Sequence, residues 1–412
     1  MGPRLKRGDQ EHLRRIQALS EAFRPAAPID RSTLFAGRTT QLADLFGVVE
    51  QPGQHAIVYG ERGVGKTSLG LVAAELLGAA DVLCAWATCD ASDDFSSVWR
   101  KALGEIGLTT AKQALGFGEH VDQTTEPLSK LLASEVTPHA VQGALKQASR
   151  QRPVAIVFDE FDRFQDADGR VLFADTIKAL SDRVVSSTLV LIGVADSVGE
   201  LIREHRSVER ALVQIQMPRM SASELAEIAT NGVTAARMTI TRAAVARITA
   251  LSQGLPHYTH LLTQLAAQAA LAERRADIGV RDVDAAVTRA IDRAQQSIVE
   301  AYREAVTGRP GTIYPQVLLA CALAEEDEFG FFVSSDVREP LSKILHKPSR
   351  TSAFARHLEE LSSESRGAVL QRSSGGGGAA RYRFVNPLLQ PYVAMRGISE
   401  GVVRVSELQP GR

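Results

Sequence analysis

Short apolar runs alternate with amphipathic stretches over the first half of the chain. The apolar runs predict strands at His55–Tyr59, Val82–Ala87, Val154–Phe158, Leu189–Val194 and Val213–Met217. Between them, apolar residues recur at helical spacing in stretches such as Thr67–Leu77, Phe95–Ile106 and Ala140–Ser149. Short buried strands that alternate with helices are typical of a parallel sheet covered on both faces. We therefore expect one α/β domain over residues 28–220.

Beyond residue 220 the strand pattern stops and helical periodicity remains. Ser221 and Glu224 have the spacing of a capping box, in which each side chain satisfies an exposed amide at a helix start. Apolar residues at three- and four-residue spacing then predict helices at about 221–231, 241–252, 256–273 and 281–306. The sequence therefore predicts an all-helical second domain over residues 221–308.

The last part of the chain combines helices with two extended segments joined by a glycine loop. Helices are predicted near Tyr314–Ala324, Ser335–Leu345 and Ser352–Leu361, and extended segments at Ala368–Arg372 and Arg381–Val385. Three helices followed by such a hairpin outline a winged-helix domain over residues 309–398. A polar N-terminal leader at 1–27 and a tail at 399–412 complete the predicted organisation.

Composition and charge exclude several classes of protein. The chain has 412 residues, of which 44% are hydrophobic, so wholesale disorder is excluded. Its 47 Lys and Arg against 48 Asp and Glu give a net charge of -1, which excludes a global attraction to nucleic acid or membrane. We find no secretory signal and no apolar run of membrane-spanning length. Three cysteines without metal-ligand spacing favour a reducing compartment, so we expect a soluble, cytoplasmic protein.

A glycine-rich loop between the first strand and the next helix carries the main chemical signal. Such a loop binds phosphate, because backbone N–H groups and the helix N-terminus face the anion. In this pattern Lys66 neutralises the β- and γ-phosphate oxygens, and the Thr67 hydroxyl ligates magnesium. We therefore expect ATP and Mg²⁺ as cofactors, bound by Gly60, Glu61, Arg62, Gly63, Val64, Gly65, Lys66, Thr67 and Ser68.

The strand Val154–Phe158 runs directly into the carboxylates Asp159, Glu160 and Asp162. Parallel sheets bind ligands at the carboxyl ends of their strands, so these acids should lie near the glycine-rich loop. We expect Asp159 to hold magnesium through water, and Glu160 to orient and deprotonate the attacking water. Asp162 has no expected catalytic role and is assigned to capping the next helix.

Together with Leu34-Phe-Ala-Gly-Arg38, these two motifs resemble an AAA+ ATPase of the origin-recognition-like group, close to the STAND-type signalling ATPases. The resemblance covers about residues 30–395. It implies a P-loop NTPase (AAA+) core with a parallel sheet, an α-helical lid and a C-terminal winged helix. It also implies that Gly37 and Arg38 lie against the adenine. The strand Leu189–Val194 would end in a polar sensor, either Asp196 or Ser197.

Two further segments resemble family positions around the nucleotide. His205–Arg210 is similar to the segment that supplies an arginine finger to a neighbouring subunit, and Arg210 fits the pattern better than Arg206. Either arginine could instead form a surface ion pair. In Gly254-Leu-Pro-His257 the lid arginine of many family members is missing, and the pattern is similar to STAND-type ATPases. We expect Pro256 and His257 at the nucleotide, with His257 either touching a phosphate or capping the helix.

The winged-helix region is locally basic. Between Leu341 and Arg396 there are nine basic residues and three acids, a local excess of +6. We expect Arg356 to enter a DNA groove, and Arg381 and Arg383, which share one strand face, to contact the backbone. A face that docks a domain or binds protein is the alternative.

The sequence thus predicts an ATPase that forms ADP and phosphate slowly and in an assembly-dependent way. It would act as a molecular switch that couples nucleotide state to duplex DNA binding and homo-oligomerisation, without contact with a membrane. One alternative is a STAND-type signalling scaffold, possibly acting in defence, whose winged helix binds a protein partner. A third is a transposition-type ATPase that coats DNA.

Overall fold

The computed structural model describes residues 7–25, 27–113, 121–194, 206–308, 311–374 and 380–408. The helices are α1 (Arg7–Ala22), α2 (Thr39–Glu50), α3 (Lys66–Ala79), α4 (Phe95–Gly104), α5 (Pro138–Ala148), α6 (Ala167–Asp182), α7 (Ala222–Ala235), α8 (Arg242–Ser252), α9 (Pro256–Ala272), α10 (Val280–Asp292), α11 (Gln296–Val306), α12 (Tyr314–Ala322), α13 (Ser334–Ile344), α14 (Ala355–Leu361) and α15 (Leu389–Ser399). The strands are β1 (His55–Tyr59), β2 (Leu83–Thr88), β3 (Gly107–Gln113), β4 (Val121–Pro127), β5 (Val154–Asp159), β6 (Ser187–Gly193), β7 (Leu212–Gln216), β8 (Thr239–Ile240), β9 (Asp277–Ile278), β10 (Phe332–Val333), β11 (Leu370–Ser374) and β12 (Ala380–Phe384).

A five-stranded sheet with the order β2-β5-β6-β1-β7 forms the centre of the first half. Every neighbouring pair in it is parallel. The prediction of a parallel sheet is therefore confirmed, and each strand lies within two residues of its predicted bounds. Because β1 and β5 are both parallel to β6, their carboxyl ends open at the same edge of the sheet.

Both faces of this sheet are buried. Ala56 and Val58 of β1 join one hydrophobic core, whereas Ile57 between them joins another. Side chains alternate across a strand, so this division shows that helices cover both faces. In the second core, the ring centroid of Trp99 lies 5.0 Å from that of Phe158 and 5.7 Å from that of Phe173.

A β-hairpin that the sequence did not predict lies between α4 and α5. Strands β3 and β4 pair antiparallel along their whole length, from Gly107 opposite Pro127 to Gln113 opposite Val121. Both strands are rich in Thr, Gln, Lys and Asp, and so lack the apolar alternation that would indicate a half-buried strand.

The predicted leader contains helix α1, which packs on α7 and α9. Phe23, directly after α1, is 1% exposed. A Cβ atom on Gly232 of α7 would lie 2.3 Å from the Cζ atom of Phe23, so only glycine leaves room for this ring. We call residues 7–25 and 27–38 the N-terminal arm.

The middle of the chain, from α7 to α11, is mainly helical. It was predicted to be all helical, but the short strands β8 and β9 pair parallel within it. The predicted capping box is confirmed, because the backbone N–H of Ser221 donates to Glu224 Oε2 at 2.9 Å and that of Glu224 donates to Ser221 Oγ at 3.3 Å. The last predicted helix, 281–306, is divided into α10 and α11.

Residues 311–374 and 380–408 form what we call the C-terminal unit. Helices α12, α13 and α14 accompany an antiparallel sheet with the order β10-β12-β11, in which β10 lies between α12 and α13 along the chain. The predicted hairpin corresponds to β11 and β12, in which Leu370 pairs with Phe384. The structure adds β10 and helix α15, which packs on α8, α10 and α12.

Candidate nucleotide site

A cavity of about 800 Å³ opens where β1 and β5 end. Its lining combines the loop 61–68, the acidic turn after β5, the N-terminal arm, helices α7 and α9, and the C-terminal unit. Such a cavity is large enough for a nucleotide.

The loop between β1 and α3 has the tight backbone that phosphate binding requires. Gly65, immediately before α3, has a φ of 95°, a conformation that favours glycine. A Cβ atom on Gly60 would lie only 2.3 Å from the carbonyl oxygen of Met217. These glycines permit a tight turn before α3, and Lys66, Thr67 and Ser68 of its first turn line the cavity.

Lys66 is held by the loop's own carbonyl groups. Its Nζ donates to the carbonyl oxygens of Gly60 at 2.9 Å and Glu61 at 2.8 Å. Burial lowers the pKa of Lys66 to about 8, against the raising effect of Asp162, Asp159 and Glu61. A phosphate entering the cavity could replace these carbonyl groups as the partner of the ammonium group.

Thr67 and Asp159 lie together although 92 positions separate them. The Thr67 hydroxyl donates to Asp159 Oδ1 at 3.4 Å, and the backbone N–H of Glu160 donates to the same oxygen at 2.9 Å. Burial raises the pKa of Asp159. A hydroxyl and a carboxylate are the hard oxygen ligands that Mg²⁺ prefers. Among the described residues, no group of three or more His, Cys, Asp or Glu is arranged to hold a metal ion by itself.

Glu160 lies in the lining of the cavity and forms an ion pair. Its backbone has a φ of 53°, and its Oε2 accepts a hydrogen bond from Arg163 Nη1 at 2.7 Å. Asp162, expected to cap the following helix, instead accepts a hydrogen bond from the backbone N–H of Val194 at 3.2 Å. This bond connects the acidic turn to the end of β6.

Gly37 and Arg38 connect the loop to α7. Arg38 is buried, and its Nη2 donates to the carbonyl oxygens of Val64, at 3.3 Å, and Pro218. Its backbone N–H donates to Glu224 Oε1 at 3.1 Å, and that of Gly37 donates to Glu227 Oε2 at 3.2 Å. Arg38 thus holds the loop and the start of α7 in one arrangement, and both Arg38 and the neighbouring Phe35 line the cavity.

The start of α9 contributes to the cavity from the helical part of the chain. Pro256 and His257 both line it, and the Cγ atom of Pro256 lies 3.9 Å from the position of a Cβ atom on Gly65. Nδ1 of His257 lies 2.8 Å from the carbonyl oxygen of Pro25 in the arm. Burial lowers the pKa of His257.

Sequence reasoning missed a buried ion-pair network behind the loop. Arg219 Nε donates to Glu61 Oε2 at 2.7 Å, and Arg219 Nη1 lies 2.9 Å from Glu326 Oε2 and 2.7 Å from Gln390 Oε1. Glu326 and Gln390 belong to the C-terminal unit. The partners lie as far as 171 positions apart, so no local motif in the sequence indicates them.

Of the predicted sensor and arginine-finger residues, two lie outside the described part, and Arg210 lies apart from the cavity. Asp196 and Ser197 belong to residues that the structure does not describe. Arg206 and Arg210 belong to the 3-10 turn Arg206–Ala211. The Arg210 side chain is 81% exposed, and its Nη2 lies 3.3 Å from Asp182 Oδ1.

The three arginines expected at DNA all have partners within the chain. Arg356 is 87% exposed and pairs with Glu360 at 2.7 Å, and Arg381 pairs with Asp327 at 3.5 Å. Arg383 donates from Nε to Gln371 Oε1 at 2.7 Å and lines the nucleotide cavity.

One family model and several solved structures are similar to this chain. Residues 34–192 match the AAA ATPase domain family, and no curated protein matches the chain. A Walker-type ATPase of Pyrococcus abyssi superposes with a TM-score of 0.50 at 14% identity, covering 89% of this chain and 98% of that one. The ORC2 protein of Aeropyrum pernix gives 0.47 at 13% identity, covering 92% and 98%. The RuvB Holliday junction branch migration motor of Thermotoga maritima gives 0.45 at 13% identity, covering 86% and 95%.

The fold is therefore that of a P-loop AAA+ protein with an AAA ATPase domain, and the predicted fold class of the core is confirmed. Within the described part of the chain, no helix has the length and apolar character needed to span a membrane.

Proposed function

We propose that this protein is an ATP-hydrolysing molecular switch. The observation that carries the proposal is the convergence of Lys66, Thr67, Asp159 and Glu160 on one cavity, with Thr67 hydrogen-bonded to Asp159. When bound, Mg²⁺ held by Thr67 and Asp159 would neutralise charge on the phosphate oxygens.

The residues of the chain have separate tasks in this proposal. Lys66 would transfer its hydrogen bonds from the loop carbonyls to the β- and γ-phosphates. Glu160 would accept a proton from the attacking water, for which its carboxylate must leave Arg163. Because an exposed ion pair of this kind contributes only about 0.2–1 kcal/mol, it is a small barrier to that rearrangement.

Two variants test this division of tasks. Lys66→Ala should abolish ATP binding, whereas Glu160→Gln should bind ATP within a few-fold of wild type and fail to hydrolyse it. Nucleotide affinity and phosphate release are measured on both proteins. Equal hydrolysis by Glu160→Gln and wild type would contradict the assignment of the base.

We further propose three units: an ATPase domain at 28–220, a helical lid at 221–308 and a winged helix at 309–398. In this proposal the winged helix binds duplex DNA through Arg356, with Arg381 and Arg383 near the backbone. The exposure of Arg356 supports it. The full-length protein with a slowly hydrolysed ATP analogue should then bind duplexes with an affinity that falls as salt rises, since neutralised phosphates release counterions.

A second candidate, a signalling scaffold whose winged helix binds protein, is favoured by the charge balance. The acids that pair with Arg381, Lys343 and Arg396 are Asp327, Glu339 and Glu400, all outside the window that gave +6. Over residues 327–400 there are ten basic and eight acidic residues, a net charge of only +2. Absence of salt-sensitive DNA affinity in the full-length protein with bound nucleotide would favour this candidate.

A further inference from the structure

The cavity lining includes both apolar side chains and two imidazole rings. The apolar side chains come from the arm and from the region of α7, and they are Ile29, Leu34, Phe35, Met220 and Ile228. His257 and His260 of α9 line the same cavity. Because the P-loop takes the phosphates, a flat nucleobase is best accommodated against these apolar side chains. The contact of His257 with Pro25 places its ring against the arm, which supplies three of them.

The contact with Pro25 fixes the tautomer of His257. A carbonyl oxygen only accepts hydrogen bonds, so Nδ1 of His257 carries the proton and donates to Pro25. Burial lowers the pKa of His257 and lowers that of the neighbouring His260 to about 4. A neutral imidazole that is protonated at Nδ1 has a bare lone pair at Nε2.

The arm is anchored on both sides of Pro25. These anchors hold the carbonyl group of Pro25 next to Nδ1 of His257 and thereby maintain the tautomer. On one side, Gln264 Nε2 donates to the carbonyl oxygen of Phe23 at 2.9 Å. On the other, the backbone N–H of Ile29 donates to Ser68 Oγ at 3.1 Å, one residue after Thr67. The His257 ring is partly exposed at the cavity, and no described residue donates a hydrogen bond to its Nε2.

We propose that Nε2 of His257 accepts a hydrogen bond from the amino group at C6 of adenine and thereby selects adenine nucleotides. The inference rests on the proposed nucleotide site and adds the residue that determines its base specificity. The C6 amino group is the hydrogen-bond donor of the adenine base, whereas guanine carries an acceptor oxygen at C6. That oxygen would bring its lone pairs against the lone pair of Nε2.

The test compares three diphosphates, so that hydrolysis does not enter. They are ADP, GDP and the diphosphate of purine riboside. Purine riboside has only a hydrogen atom at C6. Wild type should bind ADP about tenfold more tightly than the purine riboside diphosphate, because the latter offers no donor to Nε2. GDP should bind at least as weakly as the purine riboside diphosphate.

Two substitutions separate base recognition from docking of the arm. His257→Phe keeps a ring but removes both nitrogens. His257→Asn is the matched control, because its amide can still donate to Pro25 from near the position of Nδ1 but does not extend to Nε2. Both variants should bind ADP and the purine riboside diphosphate within about twofold of each other.

Equal affinity of wild type for ADP and the purine riboside diphosphate would overturn the inference. A tenfold preference for ADP over the purine riboside diphosphate that persists in His257→Asn would also overturn the inference. If His257→Phe does not fold, His257→Asn alone decides the test. Failure of wild type to bind any of the three diphosphates or ATP would instead contradict the proposed function.

Discussion

Arg219 and Glu61 form a buried ion pair with a distance of 2.7 Å between Nε and Oε2. Glu61 is the second residue of the phosphate loop, and Arg219 follows the last strand of the sheet, just before α7. Since Arg219 also lies 2.9 Å from Glu326, two carboxylates share one guanidinium, and the cluster joins the loop to the C-terminal unit. Removing one member of a buried network leaves the others uncompensated.

Glu326 should make the stability of the protein depend on pH. Burial raises the pKa of Glu326 to about 7 from its ordinary value of 4.5, against the lowering effect of Arg219. The folded protein therefore binds this proton more tightly than the unfolded chain. The stabilisation is fully present below pH 4.5, and on the order of 3 kcal/mol is lost as pH rises through about 7.

The variant Glu326→Gln isolates this effect from other titrating groups. Thermal unfolding of wild type and variant is compared between about pH 5 and pH 8. The difference in stability should shift in favour of the variant as pH rises, because only wild type loses a proton from this cluster. A difference that does not change with pH would contradict the prediction.

The ion pair between Glu160 and Arg163 should restrain hydrolysis. Arg163→Gln removes a partner at 2.7 Å that occupies the carboxylate of the proposed base. Because both side chains are about half exposed, solvent screens the pair, and an increase in kcat of no more than about fivefold is expected. Arg163→Lys, which can keep the pair, serves as the control. A loss of activity in Arg163→Gln would show that Arg163 assists the reaction.

The side chain of Arg210 should act on the active site of a neighbouring subunit. It is 81% exposed and does not line the cavity of its own chain. Arg210→Ala should keep nucleotide affinity and lose hydrolysis, by about 10³-fold or more if it is an arginine finger. Mixing it with Glu160→Gln should restore part of the activity, since one interface then has both groups intact. A specific activity that does not depend on protein concentration, with no recovery on mixing, would refute an intersubunit site.

What the sequence could predict depended on how far apart the interacting residues lie. The phosphate loop and the acidic turn are contiguous motifs next to apolar strands, so their positions at one sheet edge follow from the rules of parallel sheets. The pairs of Arg219 with Glu61 and of His257 with Pro25 join residues 158 and 232 positions apart, which no local pattern encodes. The local excess of +6 over residues 341–396 falls to +2 over residues 327–400, because acids that pair with Lys343, Arg381 and Arg396 lie outside the narrower window. Helix α1 was missed because its few apolar residues stand in a strongly polar stretch.

The arm should depend on the absence of a side chain at position 232. Gly232→Ala places a Cβ atom 2.3 Å from Phe23 Cζ, and overpacking of this kind costs about 1–3 kcal/mol, more than the ~1 kcal/mol that alanine gains over glycine in a helix. We expect faster proteolysis of residues 7–25 and weaker ADP binding, because Pro25 then no longer holds His257.

Gly78→Ala, in α3 with open space at its Cβ position, is the matched control and should leave both properties unchanged. Combining Gly232→Ala with Phe23→Leu, which shortens the opposing side chain, should recover part of the protection. If residues 7–25 resist proteolysis in Gly232→Ala as well as they do in wild type, the packing of Phe23 against position 232 does not determine the position of the arm.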